Sequence, residues 1–204
     1  MNKLHLLPVL AAGSLLVAAC GSDEADSGST NAAATTVAGS ATTGAGAAAA
    51  EFNDADVEFA QGMIGHHEQA VEMAEIALDP SREARPEVID LATRIQAAQD
   101  PEIDLMTSWL NAWGQPVEMD TSEGHNMEDM EGMMSAEEMD GLAGLTGSEF
   151  DTMWLEMMIR HHEGAISQSE TVKAEGSNPE VLALAEQIIT AQQGEISEMS
   201  ALLG

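Results

Sequence analysis

From residue 54 onward, apolar residues recur at spacings of three and four. Phe59, Met63, His66, Ala70, Met73 and Ala77 trace one seam of a helix, and Ala60, Ile64, His67, Val71, Ala74 and Leu78 trace the seam beside it. A period near 3.6 produces this spacing and a period of two does not. Asp56, Gln61, Glu68, Gln69, Glu72 and Glu75 take the other side, as a solvated face. The same pair of seams returns later as Trp154, Met158, His161 and Ala165 beside Leu155, Ile159, His162 and Ile166. Each stretch is followed by a second helical pattern. In one it runs through Val88, Leu91, Ala92, Ile95, Ala98, Met106, Trp109 and Leu110; in the other, through Val181, Leu184, Ala185, Ile188, Ala191, Met199 and Leu202. No alternating strand pattern occurs.

The two stretches are copies. Pro86-Glu-Val-Ile-Asp-Leu-Ala pairs with Pro179-Glu-Val-Leu-Ala-Leu-Ala, and the register continues through Gln99/Gln192, Glu102/Glu195 and Met106/Met199. The offset is 95 residues at the histidines and 93 at the prolines, so the copies differ by two residues in a loop. Repeat one spans 54–113, a methionine-rich connector 114–145 and repeat two 146–203. Asn53 suits the N-cap of the first helix, Pro86 the first turn of the second, Thr146 with Glu149 a capping box for the third, and Asn178-Pro179 the start of the fourth. Gly114 and Gly176 close the second and third. Pro101 falls inside the second helix and Gly194 at the same place in the fourth, which predicts a bend there. The expected architecture is all-α: a four-helix bundle made of two repeated helical hairpins.

The chain ahead of the repeats is different. Lys3 precedes an apolar run from Leu6 to Ala19, shorter than the roughly 20 residues that span a bilayer, and residues 1–19 read as a signal peptide. Val17-Ala18-Ala19-Cys20 resembles a bacterial lipobox, in which the cysteine is lipidated and becomes the mature N-terminus. Cys20 is the only cysteine, so no intrachain disulfide is available. Residues 20–50 are Gly, Ser, Ala, Thr and a few acids, a tether without the apolar surface to fold. The folded part is 51–204. These features predict an exported protein held by lipid on the outer face of the cell membrane. The net charge is -30, from 36 acidic against 6 basic residues. Such a surface repels phosphate backbones, which excludes nucleic acid as a partner.

The chemistry lies in Met63-Ile-Gly-His66-His67 and Met158-Ile-Arg-His161-His162. Each methionine stands three and four residues ahead of a histidine pair, one turn away on a helix. One buried histidine is usually a core residue hydrogen-bonded to a neighbour, and Gln99, Glu102, Gln192 and Glu195 are placed to serve as such partners. Four of them, arranged twice beside thioethers, favour a metal. Imidazole with thioether suits copper, as Cu(I) or Cu(II), better than the oxygen-seeking magnesium or calcium. The connector adds His125, Met127, Met130, Met133 and Met134. They form either an auxiliary soft-metal loop or a partly helical cover over the bundle's edge.

Two segments, Gly62-Met63-Ile64-Gly65-His66-His67 and Glu156-Met157-Met158-Ile159-Arg160-His161-His162-Glu163-Gly164-Ala165, with the Ala-x-x-Ile-x-x-Ala-Gln helix at Ala92 to Gln99, resemble the bacterial domain of unknown function 305 family. The resemblance covers nearly all of Asp54 to Leu203. It implies a ferritin-like four-helix fold. Some exported members are implicated in copper binding and resistance through histidine and methionine, which marks Met63, His66, His67, Met158, His161 and His162 as ligands. It also invites a di-iron or di-manganese carboxylate oxidase. That chemistry uses Glu-x-x-His on two helices, and here Glu156 stands five residues before His161. No nucleophile constellation accompanies the single cysteine. The sequence therefore points to a copper-binding protein outside the cytoplasm that sequesters or delivers its ion, not an enzyme. A metal-free envelope interaction module is the third alternative. Because ligating imidazoles must be neutral, metal binding is expected to weaken as pH falls through about 6.

Overall fold

A computed structural model describes residues 51–119 and 130–204. The expected signal peptide, Cys20 and the tether, together with His125 and Met127, lie outside the described residues. The chain forms α1 (Asp54–Leu78), a 3-10 turn (Pro80–Arg82), α2 (Pro86–Trp113), α3 (Ala136–Ala143), α4 (Gly147–Glu175) and α5 (Pro179–Leu203). Among the described residues there is no strand, and no helix is long and apolar enough to cross a membrane. α1 packs along α2 and α4 along α5 as two hairpins, and α1 packs on α4 between them. The ferritin-like four-helix arrangement stands, with α3 as a short addition from the connector.

The stops and starts follow from local chemistry. Asn53 caps α1 in a reciprocal box with Asp56, and Asn178 accepts from the Glu180 and Val181 amides to start α5. Pro86 occupies the first turn of α2. Gly114, in the left-handed region at φ 70°, closes it. Thr146 is the N-cap of α4 but makes no side-chain cap bond, so the expected box with Glu149 does not form. The left-handed Gly147 that follows, at φ 59°, turns the chain into the helix instead. α2 runs through Pro101 and α5 through Gly194 without interruption.

Asp56 departs from the expected solvated face: it is fully buried. Besides the Asn53 amide at 2.9 Å, its carboxylate accepts from the Ser177 amide and hydroxyl and the Asn178 amide at 3.0–3.1 Å. It thereby pins the start of α1 to the α4–α5 turn. Gly176 is required there, because a Cβ would lie 2.6 Å from the Asp56 Oδ1. The repeat equivalent, Asp151 on α4, is also buried and accepts from the Arg85 amide ahead of α2 at 3.1 Å. Each hairpin thus clasps the turn of the other. Asp56→Ala strands several buried donors and Asp151→Ala only one. In urea unfolding the first is expected to cost about 3 kcal/mol and the second about 1 kcal/mol; equal costs would contradict the clasp.

Two apolar layers fill the interior. One joins the end of α1 (Ala70, Met73, Ala77) to the start of α2 (Val88, Leu91, Ile95), the start of α4 (Phe150, Trp154, Met158), Met199 of α5, and Met134, Met139 and Leu142 near and on α3. The other joins the start of α1 (Phe59, Met63, Ile64) to the end of α2 (Met106, Trp109, Leu110), the later part of α4 (Ala165, Val172) and the start of α5 (Val181, Leu184, Ile188). Neighbouring helices therefore run antiparallel. Large side chains buried in this way contribute about 1.5–3 kcal/mol each. Between the layers the core turns polar.

Candidate metal centre

The polar layer is built from the repeated segments. α1 supplies His66 and His67, α4 supplies His161 and His162, and all four are fully buried. Both members of each pair point inward because they occupy adjacent seams of the buried stripe. α2 and α5 supply Gln99 and Gln192, each 3% exposed, while Ala98 and Ala191, expected inside, are exposed. The correction follows from helical drift: from Ile95 and Ile188 a step of four, not three, keeps the chain on the inward seam.

Each outer histidine is held by a carboxylate of its own hairpin. His67 Nε2 lies 2.7 Å from Glu102 Oε2, and His162 Nε2 lies 2.7 Å from Glu195 Oε2. An Nε2–H facing a carboxylate leaves the lone pair on Nδ1, and the Nδ1 of both residues is buried without a partner. His66 and His161 meet where α1 crosses α4, with ring centroids 3.8 Å apart and planes inclined by 43°. Both nitrogens of each ring are buried and without a hydrogen-bond partner, as are Gln99 Oε1 and Gln192 Oε1.

Burial, reinforced by the neighbouring His67 and His162, pushes the His66 pKa down from 6.5 to about 3. The backbone of Glu131, facing the ring, opposes this without making an aligned hydrogen bond. His161 is held well below 6.5, again chiefly by burial and then by the other histidines. Both rings are therefore neutral at pH 7, with lone pairs free. Met63 and Met158 are fully buried one turn before the histidine pairs, Met63 in one apolar layer and Met158 in the other. Among the described residues, no group of three or more His, Cys, Asp or Glu side chains stands arranged to hold a metal ion. The unsatisfied donors here are imidazole nitrogens flanked by thioethers, a set that fits a soft ion of low coordination number and not a carboxylate-bridged metal pair.

The connector returns over this layer. Met130 and Met133 stay partly exposed, whereas Met134 is buried and its sulfur accepts from the Arg160 guanidinium, which leaves it poorly placed as a ligand. Gln69, expected on the solvated face, instead binds the Met134 main chain, and Gly62 and Gly164, given no role by the sequence pattern, make room for the connector's path. Glycines buried inside helices were the available signal.

The family model for the domain of unknown function (DUF305) matches residues 56–203. Similar solved structures include a DUF305 fragment from Deinococcus radiodurans, at 36% identity and a TM-score of 0.66, covering 74% of this chain and 97% of that one. A DUF305 protein from Streptomyces coelicolor matches at 31% identity and a TM-score of 0.67, covering 73% and 91%. CopM in the Cu(II)-bound form matches at 33% identity and a TM-score of 0.60, covering 72% and 95%. No protein of curated function matches this chain.

Proposed function

This chain belongs to the domain of unknown function 305 family, and we propose that it binds copper in the polar layer of its bundle and holds or hands on the ion without turning over a substrate. The observation that carries this is the set of ring nitrogens of His66 and His161, buried, neutral and without a protein partner. A core that needed only filling would gain from leucine at these positions; unpaired imidazoles have a use when an ion completes them. His66 and His161 supply the central nitrogens. His67 and His162 supply Nδ1, while Glu102 and Glu195 fix their tautomers. Met63 and Met158 supply sulfur from the two flanking layers. CopM, 33% identical, has a Cu(II)-bound structure and a Cu(I)-bound one, which supports copper as the ion here. The export segment and Cys20 support a site of action outside the cytoplasm, tethered by lipid to the membrane.

The test is a parallel binding assay with Cu(I), Cu(II), Zn(II) and Fe(II). Copper is expected to be retained by the wild-type chain and lost in His66→Ala/His161→Ala. Oxygen consumption on Fe(II) addition would favour a di-metal oxidase instead, and no retained metal would leave an interaction module. Glu102→Gln and Glu195→Gln are expected to weaken copper binding by about 10–100-fold each, because the rings lose their orienting acceptor. Unchanged affinity in both would show that the carboxylates do not position ligands.

A further inference from the structure

The histidine segments of the two copies, Gly62–Ala70 and Met157–Ala165, share Met-Ile, His-His-Glu and Ala and differ at three positions: Gly62 against Met157, Gly65 against Arg160, and Gln69 against Gly164. Those positions stand at i, i+3 and i+7, a single seam of each helix. The seams that face the core have stayed alike while this one has diverged, so something lies on it that does not obey the twofold. That something is residues 130–134. A Cβ on Gly62 would come within 2.9 Å of the Met130 methyl. Arg160 donates to the Met134 sulfur and pairs with Glu138. The Gln69 amide holds the Met134 main chain at both ends, donating to its carbonyl at 2.8 Å and accepting from its N–H at 2.7 Å. At Gly164 the Glu131–Gly132 main chain lies so close that a Cβ would collide with the Glu131 carbonyl.

This crossing sits at the level of the His66 and His161 rings. The Glu131 backbone is the group that faces His66. A Cβ on Gly132 would be 3.0 Å from the His161 carbonyl. The Glu131 carboxylate is fastened in turn by the Ser167 hydroxyl at 2.8 Å. We propose that residues 130–134 are a strap that governs entry of the ion to the His66–His161 centre, with Gln69 as its latch and the partly exposed Met130 and Met133 as the thioethers an entering ion meets first. The proposal rests on the copper reading of that centre. Its side-chain anchors, Gln69 and Ser167, are partly exposed polar contacts; lifting it breaks these and draws Met134 out of the apolar layer it helps fill, so the strap opens only transiently.

Two measurements on the full chain decide it: hydrogen exchange at the Met134 amide, and the rate of Cu(I) transfer from a coloured chelator. In Gln69→Ala the Met134 amide is expected to lose protection, and loading to accelerate about tenfold or more, as loss of two hydrogen bonds implies. Dissociation should speed up in step, leaving affinity within about threefold. Gly164→Ala, which displaces the Glu131 oxygen from the other side, should accelerate loading as well even if Gln69→Ala unsettles α1. An exposed Met134 amide with unchanged loading in a chain that binds Cu(I) overturns the strap alone, and so does a Met134 amide that stays protected in Gln69→Ala. A wild-type chain that takes up no Cu(I) overturns the copper reading and the strap with it.

Discussion

Replacing His66 and His161 together by leucine is expected to abolish copper retention and, at the same time, to make the metal-free fold more stable. The two effects have one cause. Each ring is buried, neutral at pH 7, and lacks a hydrogen-bond partner for either nitrogen. An unsatisfied buried polar atom costs about 1–3 kcal/mol, whereas an apolar group of similar size in its place costs nothing comparable. Some of that gain is lost to imperfect repacking of a branched side chain where two flat rings now meet at a tilt. A net rise of about 2 kcal/mol in the unfolding free energy remains, readable as a shift in the urea midpoint. Copper at a hundredfold excess over its dissociation constant should stabilise the wild-type chain by about 2.7 kcal/mol and the variant not at all. The opposite outcome, a loss of several kcal/mol without metal, would mean that the rings fasten the core, and the interaction-module reading would take precedence. His67 and His162 are a different case. Their Nε2 atoms are held by Glu102 and Glu195, so leucine there would strand a carboxylate and destabilise.

The bundle was legible in the sequence because its information is periodic and stated twice. Adjacent seams at Phe59 to Ala77 and Ala60 to Leu78 placed both histidines of a pair inside, and all four are buried. The duplication sets Glu102 35 residues after His67 and Glu195 33 residues after His162, the difference being the two-residue loop, and the two contact distances agree at 2.7 Å. What escaped was of another kind. Asp56 sits among exposed residues on the helical wheel, yet near a helix end its neighbours come from another hairpin, and no local period reports them. Ala98 against Gln99 was decided by accumulated drift over a long helix, which a short window does not resolve. For the connector the letters left a soft-metal loop and a partly helical cover open, because its glycines and acids mask any period; the buried Met134, Met139 and Leu142 near and on α3 fit the cover. The divergent seam at 62, 65 and 69 was visible in the letters. It acquires meaning only once the connector is seen to lie along it.

Acid should unfold this protein earlier than its composition suggests, and the two central histidines are the reason. Between pH 6.5 and about 3 the unfolded chain carries a proton on residue 66 that the folded chain refuses, and residue 161 behaves likewise. The unfolded state therefore binds more protons throughout this window, and stability falls with falling pH by about 1.4 kcal/mol per unit for His66, with His161 steepening the fall. From pH 6.5 to 4.5 His66 accounts for about 2–3 kcal/mol, a large share of a typical domain's stability, and His161 adds to it in the same direction. Ordinary carboxylates titrate below that range. Once they do, neutralising an excess of 36 acids over 6 bases relieves repulsion and works in the folded state's favour. The decline between pH 6.5 and 4.5 is thus a signature of His66 and His161, and His66→Leu/His161→Leu should flatten it in urea midpoints taken across that interval. The same burial moves proton competition for the ligands. A metal-binding imidazole of ordinary pKa would start to lose its ion near pH 6, whereas His66 stays deprotonated toward about pH 3. Copper should accordingly remain bound at pH 5 wherever the fold survives, and release should track unfolding rather than ring protonation. A release midpoint near pH 6 with the helices still intact by circular dichroism would place the ion on exposed histidine, away from the central layer.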